Sequence, residues 1–221
     1  MTIVSHRYGF AFIKTHKTAG TSIEVDLSQR VEDTAVVTPI KPEAPGHVAR
    51  NHLDDAGKPL YWNHMTAAQL QDVVGRQTFR KLFVFCVERE PVAKCLSHWR
   101  MLKHPDAPGT LSPEEKAALS WERYLETCKL PVDDWRYTDP KNPGRLMVDK
   151  VLAYEELGTA LPHLLARLGI ADFKLQTRAK SEYSRSAQAE PDPVTPEHRR
   201  MIYEQFGPAL KITGFDQRWK P

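Results

Sequence analysis

The stretch Phe10-Ala11-Phe12-Ile13-Lys14-Thr15-His16-Lys17-Thr18-Ala19-Gly20-Thr21-Ser22 decides the reading of the fold. An apolar, strand-like run ends in a short loop carrying Lys17, Gly20, Thr21 and Ser22, and Ile23, Val25 and Leu27 continue in a helix-compatible pattern. The segment reads as strand, tight turn, helix N-terminus. Such a turn aims backbone N–H groups and the positive end of a helix at one point, which suits a phosphate. A lysine and two hydroxyls in the same loop add a charge and further hydrogen bonds.

The order of residues departs from the standard nucleoside-triphosphate loop, G-x-x-x-x-G-K-[ST]. Aligned on Gly20, the first glycine becomes Thr15 and the motif lysine becomes Thr21, while Lys17 stands before Gly20 rather than after it. The loop is built for an anion, but not for Mg-ATP in the usual geometry.

Two further segments belong with it. Lys81 to Val87 (K-L-F-V-F-C-V) is a short apolar, aromatic and β-branched run, read as a buried strand. It leads into Glu88-Arg89-Glu90-Pro91 and a helical stretch with Ser97, Trp99 and Arg100. Arginine gives bidentate contact to a phosphate, and a hydroxyl on a helix adds a donor. The other segment is Tyr61-Trp62-Asn63-His64-Met65-Thr66-Ala67-Ala68-Gln69-Leu70, where Thr66 is placed to cap a helix running to Val74. His64 falls just ahead of that helix. An imidazole titrates near neutral pH and is suited to taking a proton from a hydroxyl.

The K-T-H-K-T-A-G-T-S loop resembles the 5′-phosphosulfate loop of sulfotransferases that use 3′-phosphoadenosine 5′-phosphosulfate (PAPS). The nearest resemblance is to the branch containing carbohydrate sulfotransferases such as heparan sulfate 2-O-sulfotransferase and its bacterial relatives. Those loops usually read P-K-T-G-G-T-S; here His16 holds the proline position and Ala19 replaces a glycine. The family also has an R-[DN]-P strand end followed by a serine, a spacing that Arg89 and Ser97 reproduce, with Glu88 and Glu90 where it often has an apolar residue and Asp or Asn. The resemblance implies a P-loop NTPase-like three-layer α/β fold with a central, mostly parallel sheet flanked by helices. It implies PAPS as cofactor and no metal. Lys14, Lys17, Thr18, Ala19, Gly20, Thr21 and Ser22 would hold the 5′-phosphosulfate, and Arg89 and Ser97 the 3′-phosphate. Related proteins carry an H-x-[ST]-A segment, which makes His64 the expected catalytic base, with Lys17 neutralising charge on the leaving phosphate. A late loop over the nucleotide would correspond to Thr177–Arg185, so Lys180 and Arg185 are candidate contacts.

Length and composition fit a single catalytic domain over residues 1–221, with residues 98–145 read as an acceptor-side insertion of helices and loops. The formal net charge of +3 is too small to argue for non-specific nucleic-acid binding and suits an enzyme handling an anionic cofactor. The three cysteines, Cys86, Cys95 and Cys128, have no C-x-x-C spacing and read as reduced thiols, Cys86 in the core. Neither a secretory signal nor a membrane span is read, so a bacterial, cytoplasmic enzyme is expected.

Strand and helix signals alternate, which suggests an α/β sheet. Strands are expected at Tyr8–Lys14, Thr34–Ile40, Lys81–Val87 and Val148–Tyr154, with a long loop over Lys41–Pro59. Helices are expected at Thr21–Gln29, Thr66–Val74, Pro91–Leu102, from Ser112 to about Cys128, from Leu157 to about Leu168, and from Thr195 to about Leu210. The resulting expectation is in-line transfer of a sulfuryl group from PAPS to the hydroxyl of a carbohydrate or similar alcohol. The alternatives are a small-molecule kinase with a degenerate phosphate loop and a non-catalytic nucleotide-binding module.

Overall fold

The computed structural model describes residues 2–106, 109, 111–177 and 194–221. The first half runs β1 (Thr2–Ser5), β2 (Phe10–Ile13), α1 (Gly20–Ser28), β3 (Val36–Val37), α2 (Ala67–Val74), α3 (Arg76–Phe79), β4 (Phe83–Glu88) and α4 (Pro91–Lys103). It continues with α5 (Pro113–Ala117), α6 (Trp121–Thr127), β5 (Thr138–Asp139), β6 (Asn142–Leu146), β7 (Lys150–Ala153), α7 (Leu157–Arg167) and α8 (Pro196–Thr213). The chain divides into two compact units, residues 1–88 with 133–179, and residues 89–132 with 180–221.

The first unit is built on a five-stranded sheet in the order β3-β1-β2-β4-β7. β1 runs antiparallel to both β2 and β3, whereas β4 runs parallel to both β2 and β7. The architecture is α/β with a sheet core flanked by helices, and the sheet is mixed rather than mostly parallel. The antiparallel half arises from β1, a four-residue strand that the sequence reading passed over. The expected strand from Tyr8 begins at Phe10, because Gly9 takes a left-handed φ of 62° in the turn that folds β1 back on β2. A connection that short can join only antiparallel neighbours.

Side chains alternate across a strand, and here both faces are covered. Phe10 and Phe12 of β2 lie in register with Phe83 and Phe85 of β4. They join Ile23, Val25 and Leu27 of α1 and Leu157, Leu161 and Leu165 of α7 in one core cluster. Ala11, Ile13, Val84 and Cys86 point the other way and are equally buried. That double burial is why β2 and β4 read as unbroken apolar runs. The parallel pairing of β2 and β4 brings the C-terminal ends of both strands to the same edge of the sheet.

In the second unit, Trp99 and Trp121 meet edge to face at 5.5 Å, and Trp121 stacks on Tyr124 at 5.3 Å. The Trp99 indole N–H donates to the Leu119 carbonyl and that of Trp121 to His198. These aromatics of the expected insertion are core. The single helix expected from Ser112 is instead α5 and α6. Ser112 and Ser120 each cap a separate start, the first as a full capping box with Glu115. Outside that unit, the stretch from Thr138 to Leu146 forms the β5–β6 hairpin, which the sequence reading did not assign. α8 passes Pro208 and stops at Gly214, which sits in the left-handed conformation that ends a helix.

Glu90 explains the departure from Asp or Asn noted at the end of β4. Its carboxylate accepts the Ala93 N–H at 2.6 Å as the N-cap of α4, ahead of Pro91 at the first helical position, and accepts the Tyr203 hydroxyl at 2.8 Å. A longer acid performs the capping that a short one performs elsewhere.

Candidate functional site

The loop after β2 is supported from below. Lys14 is buried, and its Nζ donates to Glu24 Oε2 at 2.8 Å and to Thr21 Oγ1 at 3.1 Å. Its stem lies against Gly20, where an added Cβ would come within 2.6 Å of Lys14 Cγ. Gly20 is therefore required by close packing. Lys14 acts on the loop by holding the first turn of α1, with its ammonium directed into the fold. The Thr15 hydroxyl donates to the Val87 carbonyl, which ties the loop to the end of β4, and Thr15 Oγ1 lies 2.9 Å from Thr18 Oγ1.

Above this support the backbone takes an unusual course. Lys17 has φ 60° and Ala19 has φ 59°, and neither is a glycine. Each such residue costs about 1–2 kcal/mol relative to ordinary backbone. Ala19 is the N-cap of α1 and supplies no side-chain cap. Left-handed residues leading into a helix start form a concavity of N–H groups, suited to an anion. Thr18 and Ser22 are buried, while Lys17 and Thr21 are partly exposed.

Two imidazoles meet at the loop, His16 from within it and His64 from the segment ahead of α2. The rings of His16 and His64 stack with centroids 4.5 Å apart and planes 23° apart. His16 Nδ1 lies 2.8 Å from Asp133 Oδ1, and the His16 backbone N–H donates to Asp133 Oδ2. Asp133 is buried, whereas the His16 side chain is 41% exposed. Arg136 Nε donates to the same Asp133 Oδ1 at 2.8 Å, and Arg136 Nη1 donates to the His64 carbonyl. His64 is held at φ 61°, with Nδ1 3.3 Å from the Lys14 carbonyl. Burial, followed by the charges of the N-terminal amine, of His16 whenever it is protonated, of Lys14 and of Arg136, pushes the His64 imidazole down to about 2. Among the described residues, no group of three or more His, Cys, Asp and Glu side chains is placed to hold a metal ion.

The structure thus brings together Lys14, Lys17, Thr18, Ala19, Gly20, Thr21, Ser22 and His64 in the first unit. Arg89 follows Glu88, the last residue of β4, and Ser97 lies within α4; both are partly exposed members of the second unit. Lys180 and Arg185 lie outside the described residues. The approach to that late segment is anchored, because Asp26 of α1 accepts the backbone N–H groups of Gln176 and Thr177 and the Thr177 hydroxyl. Sequence reasoning did not single out Asp133, Arg136, Glu24 or Asp26. Asp133 and Arg136 lie far along the chain from His16 and His64, in a segment read only as part of the acceptor-side insertion, and no local pattern links them.

No protein-family model matches the chain. A protein of Archaeoglobus fulgidus, itself described only as uncharacterized, is 29% identical over 122 residues, covering 54% of this chain and 97% of its own length. Among the described residues, no helix is long and apolar enough to cross a membrane.

Proposed function

We propose that this chain is a PAPS-dependent O-sulfotransferase with a P-loop-like three-layer fold, acting on the hydroxyl of a carbohydrate or similar alcohol. The observation that carries the reading is the loop from Lys14 to Ser22. Two non-glycine residues are held left-handed there, immediately ahead of a helix start without a side-chain cap, with Lys17 and four hydroxyl residues in the same loop and its His16 stacked on His64. Strain of this kind is maintained where a surrounding framework over-determines it, and functional sites are where it collects. The residue set fits a phosphosulfate: N–H groups, hydroxyls and one lysine meet an anion without calling on a metal. When bound, PAPS supplies the sulfuryl group.

Lys17, Thr18, Gly20, Thr21 and Ser22 would hold the 5′ end of PAPS. Lys17 offsets negative charge growing on the departing 5′-phosphate oxygen, an interaction stronger in the transition state than before it. Arg89 and Ser97 are proposed for the 3′-phosphate on the spacing of their motif. The proton of the acceptor hydroxyl passes to an imidazole of the stacked pair.

Calorimetric titration with adenosine 3′,5′-bisphosphate, run beside ATP with Mg²⁺, tests this reading. Binding of the bisphosphate, weakened by Lys17→Ala and by Arg89→Ala, is expected. Binding of Mg-ATP in preference to the bisphosphate moves the protein to the kinases, and binding of neither removes the nucleotide site.

A further inference from the structure

We propose that His16, oriented by Asp133, is the residue that takes the proton from the attacking hydroxyl, and that His64 is the neutral imidazole that backs it. The inference rests on the sulfotransferase reading and departs from the sequence expectation, which gave the base to His64.

A general base must present a lone pair to the substrate, and its charged form must be tolerated afterwards. His16 meets both conditions. Its Nδ1 is engaged by a buried carboxylate at 2.8 Å, which fixes the proton on Nδ1 and leaves Nε2 as the acceptor. The ring is 41% exposed and stands inside the loop itself, between Thr15 and Lys17. Asp133 grips the backbone N–H of His16 as well as the ring, so the imidazole is preorganised from two directions. Arg136 holds Asp133 through Nε at 2.8 Å, which keeps the carboxylate aimed. After proton transfer, the His16 cation would face Asp133 directly.

His64 fails the second condition. It is half-buried and partnered by a backbone carbonyl rather than a carboxylate. Burial and the cations around it oppose its protonation. A flat neutral ring stacked on His16 limits the motion of the base and shields one face of it from water. The left-handed backbone at His64, with its carbonyl held by Arg136, aims that ring. His16, Asp133, Arg136 and His64 therefore form one connected unit in which only His16 shows a carboxylate-backed nitrogen to the outside.

The step balances without a further reagent. The hydroxyl oxygen forms a bond to sulfur, and the bond between sulfur and the bridging 5′-phosphate oxygen breaks with its electron pair going to the phosphate. The hydroxyl proton ends on His16 Nε2 while Asp133 stays a carboxylate. Water can serve as the hydroxyl compound, so the test does not depend on the natural acceptor.

The experiment has two arms on the purified full-length chain. In the first, nitrogen-15 NMR of the imidazoles is expected to show His16 in the Nδ1–H form, a preference lost in Asp133→Asn. In the second, release of adenosine 3′,5′-bisphosphate from PAPS in water is followed beside bisphosphate affinity. His16→Ala is expected to slow release by roughly 10²–10⁴-fold at retained affinity, with partial rescue by free imidazole, and His64→Asn by a smaller factor. Asp133→Asn is expected to lower kcat without raising KM for PAPS and with the calorimetric stoichiometry for the bisphosphate retained, whereas loss of folding would lower that stoichiometry. An Nε2–H form of His16, or a greater loss for His64→Asn than for His16→Ala, overturns the assignment while the sulfotransferase reading stands. A wild-type chain that fails to bind the bisphosphate overturns that reading and the assignment with it. A chain that binds it but turns over no PAPS overturns the assignment.

Discussion

Replacing His64 with asparagine should flatten the acid side of the stability profile. In the folded chain the His64 imidazole is pushed from the ordinary 6.5 down to about 2, first by burial and then by the charges around it. In the unfolded chain it titrates near its ordinary value. Between these limits the unfolded chain binds a proton that the folded chain refuses, so stability falls as pH drops below about 6.5. At pH 7 the loss is about 0.2 kcal/mol, and at pH 5 about 2 kcal/mol, following RT ln(1 + 10^(pKa − pH)) for the unfolded group. Because pH 5 lies far above the folded value, the loss there is governed almost entirely by the unfolded pKa. Asparagine suits the position, since it tolerates the left-handed backbone at φ 61° and its amide can donate to the Lys14 carbonyl. His47 is likewise held low, to about 4, by burial first and then by Lys14 and Arg50, and acts in the same direction in both chains, so it cancels in the comparison. Urea unfolding followed by circular dichroism at pH 7 and pH 5 supplies the four free energies. His64→Asn should lose about 2 kcal/mol less than wild type over that interval. Equal losses would show that His64 titrates alike in both states, and would undo the argument that its burial keeps it neutral.

Three further outcomes follow from the packing. Ala19→Gly removes a left-handed penalty of about 1–2 kcal/mol against an added unfolded-chain entropy of about 0.4–1 kcal/mol. The variant should therefore unfold at higher urea, and a lower midpoint would contradict the strain at φ 59°. Gly20→Ala should cost about 1–3 kcal/mol, because the new methyl meets the buried Lys14 stem at 2.6 Å; an unchanged unfolding midpoint would show that Lys14 moves aside freely. Glu90→Ala removes the α4 cap and the acceptor of the Tyr203 hydroxyl, and should cost about 2 kcal/mol. The Tyr203 phenol, held above its ordinary value by burial and then by Glu90, should titrate lower in a spectrophotometric titration of that variant.

Much of the site was legible locally. The strand, loop and helix from Phe10 to Ser28 could be read because each part rests on neighbours in sequence: an apolar run, an anion-type turn, and a helix pattern. The starts of α2, α5 and α8 were read from Thr66, Ser112 and Thr195 for the same reason, since a cap is a contact between residues three apart. Cys86 falls in the core, as its place in an apolar strand required.

The sequence by itself therefore determined the α/β character, the strand–loop–helix element and the helix starts. Only the tertiary structure decided that the sheet is mixed, because β1 earns its place by pairing with β2 and β3 rather than by its own four residues. Only the structure turned Lys14 inward to Glu24 and gave His16 a carboxylate partner, because Asp133 reaches it across 117 positions of chain. Side chains that distant in sequence become neighbours through the parallel pairing of β2, β4 and β7 and the burial of both sheet faces, and nothing in the local pattern of either segment encodes that meeting.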